Sequence, residues 1–280
     1  MRPGVKAMLA YLILFRDRLH PREVLAGHFW GDYSERRARN CLCTRLWRLR
    51  SLIEPKPVPR GTYLMTTANG EIGFNSRSDH WLDVAEFEKT CEISLAKPFQ
   101  VLTDADIRLL NGALALYTGE LLEGFCDEWA IFERERLRLL YIQSQSHLLD
   151  HYRYNGNLEQ ALAFGRAVLK LDPLREEFHR SMMRLCADAG ERTLALRQYE
   201  ICKDAIDAEL GISPMKETRN LMQRIRQEKT DARQPGDSNL QETDADQTII
   251  RLKKVLNACE QSVSKLKQAA SILEHLMKSK

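Results

Sequence analysis

The sequence predicts a mainly α-helical chain with one small β-hairpin: three helices and the hairpin, then paired helices, then a separate amphipathic helix. Three observations carry this. Apolar residues recur at helical spacing through the first fifty positions. An Asn-Gly turn flanked by short apolar runs follows. Beyond it, Gly156-Asn157-Leu158-Glu159-Gln160-Ala161-Leu162 is echoed 34 positions later by Gly190-Glu191-Arg192-Thr193-Leu194-Ala195-Leu196, the spacing of tetratricopeptide helix pairs.

The first helix is carried by Val5, Met8, Leu9, Leu12 and Ile13, one face of a 3.6-residue period. A short second helix starts at Pro21, where a missing N–H costs nothing. Its apolar face is read as Val24, Leu25 and Phe29, and Trp30-Gly31 ends it. Ser34 is a good N-cap residue for a third helix and Glu35 suits its first turn.

On a helical wheel Ala38, Leu42, Leu46, Leu49 and Ile53 form a narrow stripe that must face a core. The opposite face presents Arg36, Arg37, Asn40, Thr44, Trp47, Arg48 and Ser51, with Arg39, Arg45 and Arg50 at its flanks. Arginine binds phosphate and guanine edges bidentately, which lysine cannot, while Asn pairs with adenine and Thr meets a thymine methyl. After a proline-rich connection, Tyr63 to Thr67 and Glu71 to Asn75 read as a hairpin turning at Asn69-Gly70. Helix, short helix, basic helix and hairpin is the order of a winged helix-turn-helix, whose third helix enters the DNA major groove.

Charge supports that division. Residues 1–60 hold 13 Lys and Arg against 5 Asp and Glu, an excess of eight positive charges, within a chain whose net charge is only +3. A polyanion partner is expected for the first part alone.

In the paired helices, Gly156 and Gly190 open the turns, small Ala161 and Ala195 permit close backbone approach, Tyr152 supplies a large packing residue and Pro173 stops a helix. Such repeats bury their apolar faces only by stacking. Trp129 reads as a core residue, Glu133 to Arg136 as a solvated charged face, and His147, His151 and His179 as surface histidines without metal spacing. Residues 228–246 are polar and broken by Pro235-Gly236, the composition of a linker. Beyond them a heptad seam places Ile249, Leu256, Val263, Ala270 and Met277 at a, and Leu252, Cys259, Leu266 and Leu273 at d. Self-association through this helix is expected, although apolar g positions also fit docking on a partner.

Several classes are disfavoured. The longest apolar run, Met8 to Phe15, is far too short to span a membrane, and the N-terminus lacks a signal-peptide cleavage region. Seven cysteines without paired spacing read as free thiols in a reducing cytoplasm. No phosphate loop, serine elbow or metal constellation is present, so neither catalysis, cofactor nor metal is expected.

The two modules together resemble the SARP-type bacterial transcriptional activators. The resemblance rests on Met8 to Leu12, Pro21 to Leu25, Phe29-Trp30, Arg36 to Leu52, Trp81 to Phe87, Gly119 to Leu122, Trp129 with Glu133 to Leu137, Leu171 to Glu177, and Gly190 to Pro214. It implies a winged-helix DNA-binding domain over 1–80, a helical activator domain over 81–227, promoter DNA as ligand and RNA polymerase as partner. It also implies groove-facing positions at Asn40, Cys41, Thr44, Arg45 and Arg48. The resemblance further implies strands before the first helix, where this sequence begins. A helical interaction adaptor that does not bind DNA is the alternative reading.

Overall fold

The computed structural model describes residues 3–227. The linker 228–246 and the heptad helix 247–280 lie outside them. The elements run α1 (Pro3–Leu14), α2 (Arg22–Trp30), α3 (Glu35–Ile53), β1 (Leu64–Thr66), β2 (Ile72–Phe74), α4 (Asp83–Leu95), a 3₁₀ turn (Phe99–Val101), α5 (Asp104–Leu116), α6 (Glu128–Tyr154), α7 (Leu158–Leu171), α8 (Glu176–Asp188), α9 (Arg192–Leu210) and α10 (Lys216–Gln227).

The N-terminal module forms around one core. Val5, Met8 and Leu12 of α1, Leu25 and Ala26 of α2, and Ala38, Leu42, Leu46 and Leu49 of α3 are all buried. Val24 is instead exposed, and Ala26 takes its place on the buried face of α2. The pattern misleads because a helix this short presents few residues from which to fix its phase. β1 and β2 pair antiparallel, with Leu64 opposite Phe74. His20 extends the ladder: its N–H donates to Ile72 O at 2.8 Å and its carbonyl accepts from Ile72 N at 2.9 Å. The turn between α1 and α2 thereby adds a single antiparallel bridge to the two-stranded hairpin. Gly73 fits closely there: a Cβ would stand 2.8 Å from Leu19 Cδ2 and 3.3 Å from Arg18 O.

The helical repeats follow the expected logic. Gly156 and Gly190 hold left-handed φ of 71° and 78°, and Ala161 and Ala195 are fully buried. Tyr152 stacks on Phe164 with centroids 5.4 Å apart. Asn157 caps α7 by accepting the Gln160 N–H. The carboxylate of Glu176, at the start of α8, accepts the Met215 N–H on both oxygens at 2.9 Å and the Thr218 hydroxyl. It ties the start of α10 to the repeat.

His151 and His179 are buried rather than on the surface, and His147 is half-buried. The two buried rings each satisfy both nitrogens. His151 donates from Nδ1 to Phe99 O at 2.7 Å and accepts from Asn155. His179 donates from Nε2 to Pro173 O and accepts from Gln198. A histidine so paired is a polar packing residue.

Trp129 is a core residue, but of the N-terminal module's core: its indole packs beside Tyr11 and Phe15. The cluster after it is also unlike the expected solvated face. Arg134 turns inward and donates to the carbonyls of Leu121, Leu122 and Phe125 at 2.9–3.0 Å. Glu88 of α4 accepts from both Arg16 of α1 and Arg136 of α6. Sequence pattern alone gives no hint that these charges close a junction.

Candidate nucleic-acid interface

α3 is positioned by its apolar stripe. With Ala38, Leu42, Leu46 and Leu49 buried, the 100° step turns Arg36, Arg37, Asn40 and Thr44 outward, and all four are exposed. Glu35 at the first turn complements the helix dipole and pairs with Arg39 at 2.5 Å.

The outward residues divide by what holds them. Among the described residues, Arg36, Arg48 and the Asn40 amide have no hydrogen-bond or ionic partner. Thr44 turns its hydroxyl back onto Asn40 O at 2.9 Å, which leaves the methyl to meet a ligand. Arg37 lies over the Tyr33 ring, 4.4 Å from its centroid, a contact that orients the guanidinium without neutralising it. Cys41 is half-buried. Arg45 is half-buried too and runs beside α1, its Nε 3.8 Å from the position of a Cβ on Gly4. Its Nη1 is buried without an acceptor among the described residues. Arg45 thus sits at the α1 edge of the face rather than at its centre.

Arg50 has a structural role. It reaches the hairpin, donating to Thr66 Oγ1 at 2.5 Å and toward Leu64 O at 3.5 Å. Burial, followed by repulsion from Arg60, lowers its pKa from the usual arginine value. Glu54, one residue beyond α3, accepts the backbone N–H groups of Gly61, Tyr63 and Leu64 at 2.9–3.1 Å. Burial raises its carboxyl pKa, the three donors and Arg50 lower it, and the net lies below the ordinary value. Arg50 and Glu54 together fix the wing relative to α3.

Sequence reasoning does not single out Arg22. At the first position of α2, it reaches Cys43 Sγ at 3.2 Å and passes the wing turn, its Cδ 3.6 Å from a Cβ position on Gly70. A cation at a helix N-terminus opposes the dipole, and that violation is the signal that could have found it. The face therefore combines a basic helix, a basic residue at the start of α2, and a hairpin tip at Thr67–Gly70. That arrangement suits a duplex clamp: base edges for α3, phosphates for the flanks.

Among the described residues no helix is long and apolar enough to cross a membrane.

The helical part of the chain matches a known family, described as the bacterial transcriptional activator domain, over residues 82–226. The regulatory protein AfsR of Streptomyces coelicolor is 26% identical over 226 residues, 80% of this chain and 22% of AfsR. AfsR of Streptomyces griseus is 26% identical over 237 residues, 84% of this chain and 23% of AfsR. The chain thus spans less than a quarter of those relatives. Among solved structures, Mycobacterium tuberculosis EmbR in complex with a low affinity phosphopeptide superimposes with a TM-score of 0.57 at 21% identity, over 92% of this chain and 65% of EmbR. At that identity the likeness is one of fold.

Proposed function

We propose that this chain, which belongs to the bacterial transcriptional activator domain family, is a sequence-specific DNA-binding regulator that activates transcription in the cytoplasm. α3 enters the major groove, where Asn40, Thr44 and Arg48 read bases and Arg36 and Arg37 hold phosphates. Arg22 and the wing grip the adjacent backbone. The helical domain presents the bound protein to RNA polymerase, and the heptad helix, outside the described residues, links two copies. Tethering two readers raises affinity through effective concentration. No catalytic role is assigned.

One observation carries the reading most directly: the outward face of α3 holds arginines, an unengaged Asn amide and a free Thr methyl opposite the buried Ala38, Leu42, Leu46 and Leu49. A face maintained only for solubility gains from mixed charges and has no use for that set.

Capture of genomic DNA by the purified chain tests it, beside a variant with Asn40, Thr44 and Arg48 all changed to Ala. Enrichment of one motif that disappears in the variant is the expected result. A motif that survives the variant removes the site assignment. No enrichment at low salt from folded protein overturns DNA reading and favours the adaptor.

A further inference from the structure

The loop 117–125, between α5 and α6, faces two ways. Leu121 packs on the helical-domain core with Phe87 and Leu137, whereas Leu122 and Phe125 pack on the core of the DNA-reading module. Leu122 is held at a φ of 51°, a left-handed conformation that a bulky residue seldom adopts unless its surroundings impose it. Arg134 holds the loop by three carbonyls.

On its helical-domain side the loop walls a cavity of about 400 Å³, a volume typical of small-molecule sites. Phe87 and Tyr117 line it, their ring centroids 5.8 Å apart, and Tyr141 stacks on Tyr117 at 4.5 Å. Val84 and Leu137 add aliphatic wall.

The mouth is acidic. Asp83, Glu120 and Glu123 are exposed around it, and α5 ends there at Leu116, directing the negative end of its dipole to the same opening. The positive end of α4 opens nearby, but Asp83 answers it by accepting the Val84 N–H at 2.8 Å. Arg134 pairs with Glu120 at 3.6 Å and offsets part of its charge while its N–H groups hold the loop carbonyls, which leaves Asp83 and Glu123 in excess.

We propose that this cavity is an effector site for a small organic cation, an ammonium or guanidinium group on an apolar or aromatic body, coupled to DNA reading through the loop 117–125. The carboxylates select the charge at the mouth, and the apolar wall of Val84, Tyr117 and Leu121 seats the body. A body seated against Leu121 bears on the segment that carries Leu122 and Phe125 into the other core. Only this coupling rests on the DNA-binding reading; occupancy of the cavity does not.

Calorimetric titration of the full chain with phenethylammonium tests occupancy, with 2-phenylethanol and phenylacetate as neutral and anionic matches. Saturable binding of the cation, about tenfold tighter than either match, is expected. It should weaken by a similar factor in Glu120→Gln/Glu123→Gln, with the melting temperature of the variant measured beside it to show that the loop held by Arg134 is kept. No saturable cation binding, equal binding of the neutral match, or unchanged binding by the double variant overturns the site. For coupling, saturating phenethylammonium should change the affinity for captured DNA by about threefold or more in the wild type. Unchanged affinity with binding confirmed overturns the coupling. A chain that binds the cation but no DNA overturns the proposed function while the site stands.

Discussion

Trp129, at the second position of α6, stands edge-on to Tyr11 of α1, with ring centroids 5.3 Å apart and planes at 89°. The two residues come from different modules, yet both are buried in one core. The N-terminal module is therefore completed by a side chain from the helical domain.

Removing that side chain should be severe. Trp129→Ala is expected to cost about 3–5 kcal/mol, as deletions of buried aromatics do. Among the described residues the indole N–H has no acceptor, so Trp129→Phe should cost much less, since it removes an unpaired donor along with some volume. Urea unfolding of the two variants checks the order. Equal losses would mean that the ring's packing is not what holds the site together.

Glu176→Gln isolates the tie between α8 and the start of α10. With the amide oxygen at the Oε2 position the NH2 faces the Met215 N–H, and with it at Oε1 the Thr218 hydroxyl loses its acceptor. A loss of about 1–3 kcal/mol is expected, with amide exchange accelerating first at 215–218. Uniform acceleration across the chain would show that the contact is not local.

Gly73→Ala probes the wing. The added Cβ meets the end of the Leu19 side chain, which must turn aside, and at 3.3 Å the Arg18 carbonyl, which must give by a few tenths of an ångström. About 1–3 kcal/mol of stability should be lost, and DNA affinity should fall if the hairpin shifts against α3. Wild-type thermal stability for this variant would show that these neighbours give way freely.

Acid should weaken the fold in a defined window. Burial is the main cause that depresses the pKa values of His20, His147 and His179 below 6.5. Between the folded and unfolded values the unfolded chain holds more protons, so stability is complete above about pH 6.5 and declines as pH falls below it. In the folded state Nδ1 of His179 must accept from Gln198 while Nε2 donates to Pro173 O, an arrangement only neutral imidazole supports. Melting temperature followed from about pH 8 to about pH 5 should fall for the wild type and fall less for His179→Gln. Parallel curves would assign the effect to other groups.

Much of the fold is legible because one physical signal dominates each element. α3 declares itself through a long apolar stripe against arginines of one sign, and Gly156 and Gly190 through a left-handed turn that repeats. Where signals are weak, sequence misleads. Val24 and Ala26 exchange roles on a helix of 9 residues, and polarity, the only cue for His151 and His179, points to the surface. Arg134 looks like one member of a solvated charge run, since its partners are backbone carbonyls that any sequence supplies. At the interface, residue types on α3 are readable from the wheel, whereas the course of Arg45 toward α1 and the reach of Arg22 depend on tertiary neighbours.

The shared core also constrains heredity. An exchange of N-terminal modules between relatives that crosses over between residues 80 and 128 parts Tyr11 from the Trp129 it packs against. It also separates Arg16 from Arg136, the two guanidiniums that meet on Glu88. A crossover placed after α6 keeps Tyr11, Arg16, Glu88, Trp129 and Arg136 in one inheritance. Lineages that trade N-terminal modules should therefore pass on the chain through Tyr154 as a single block.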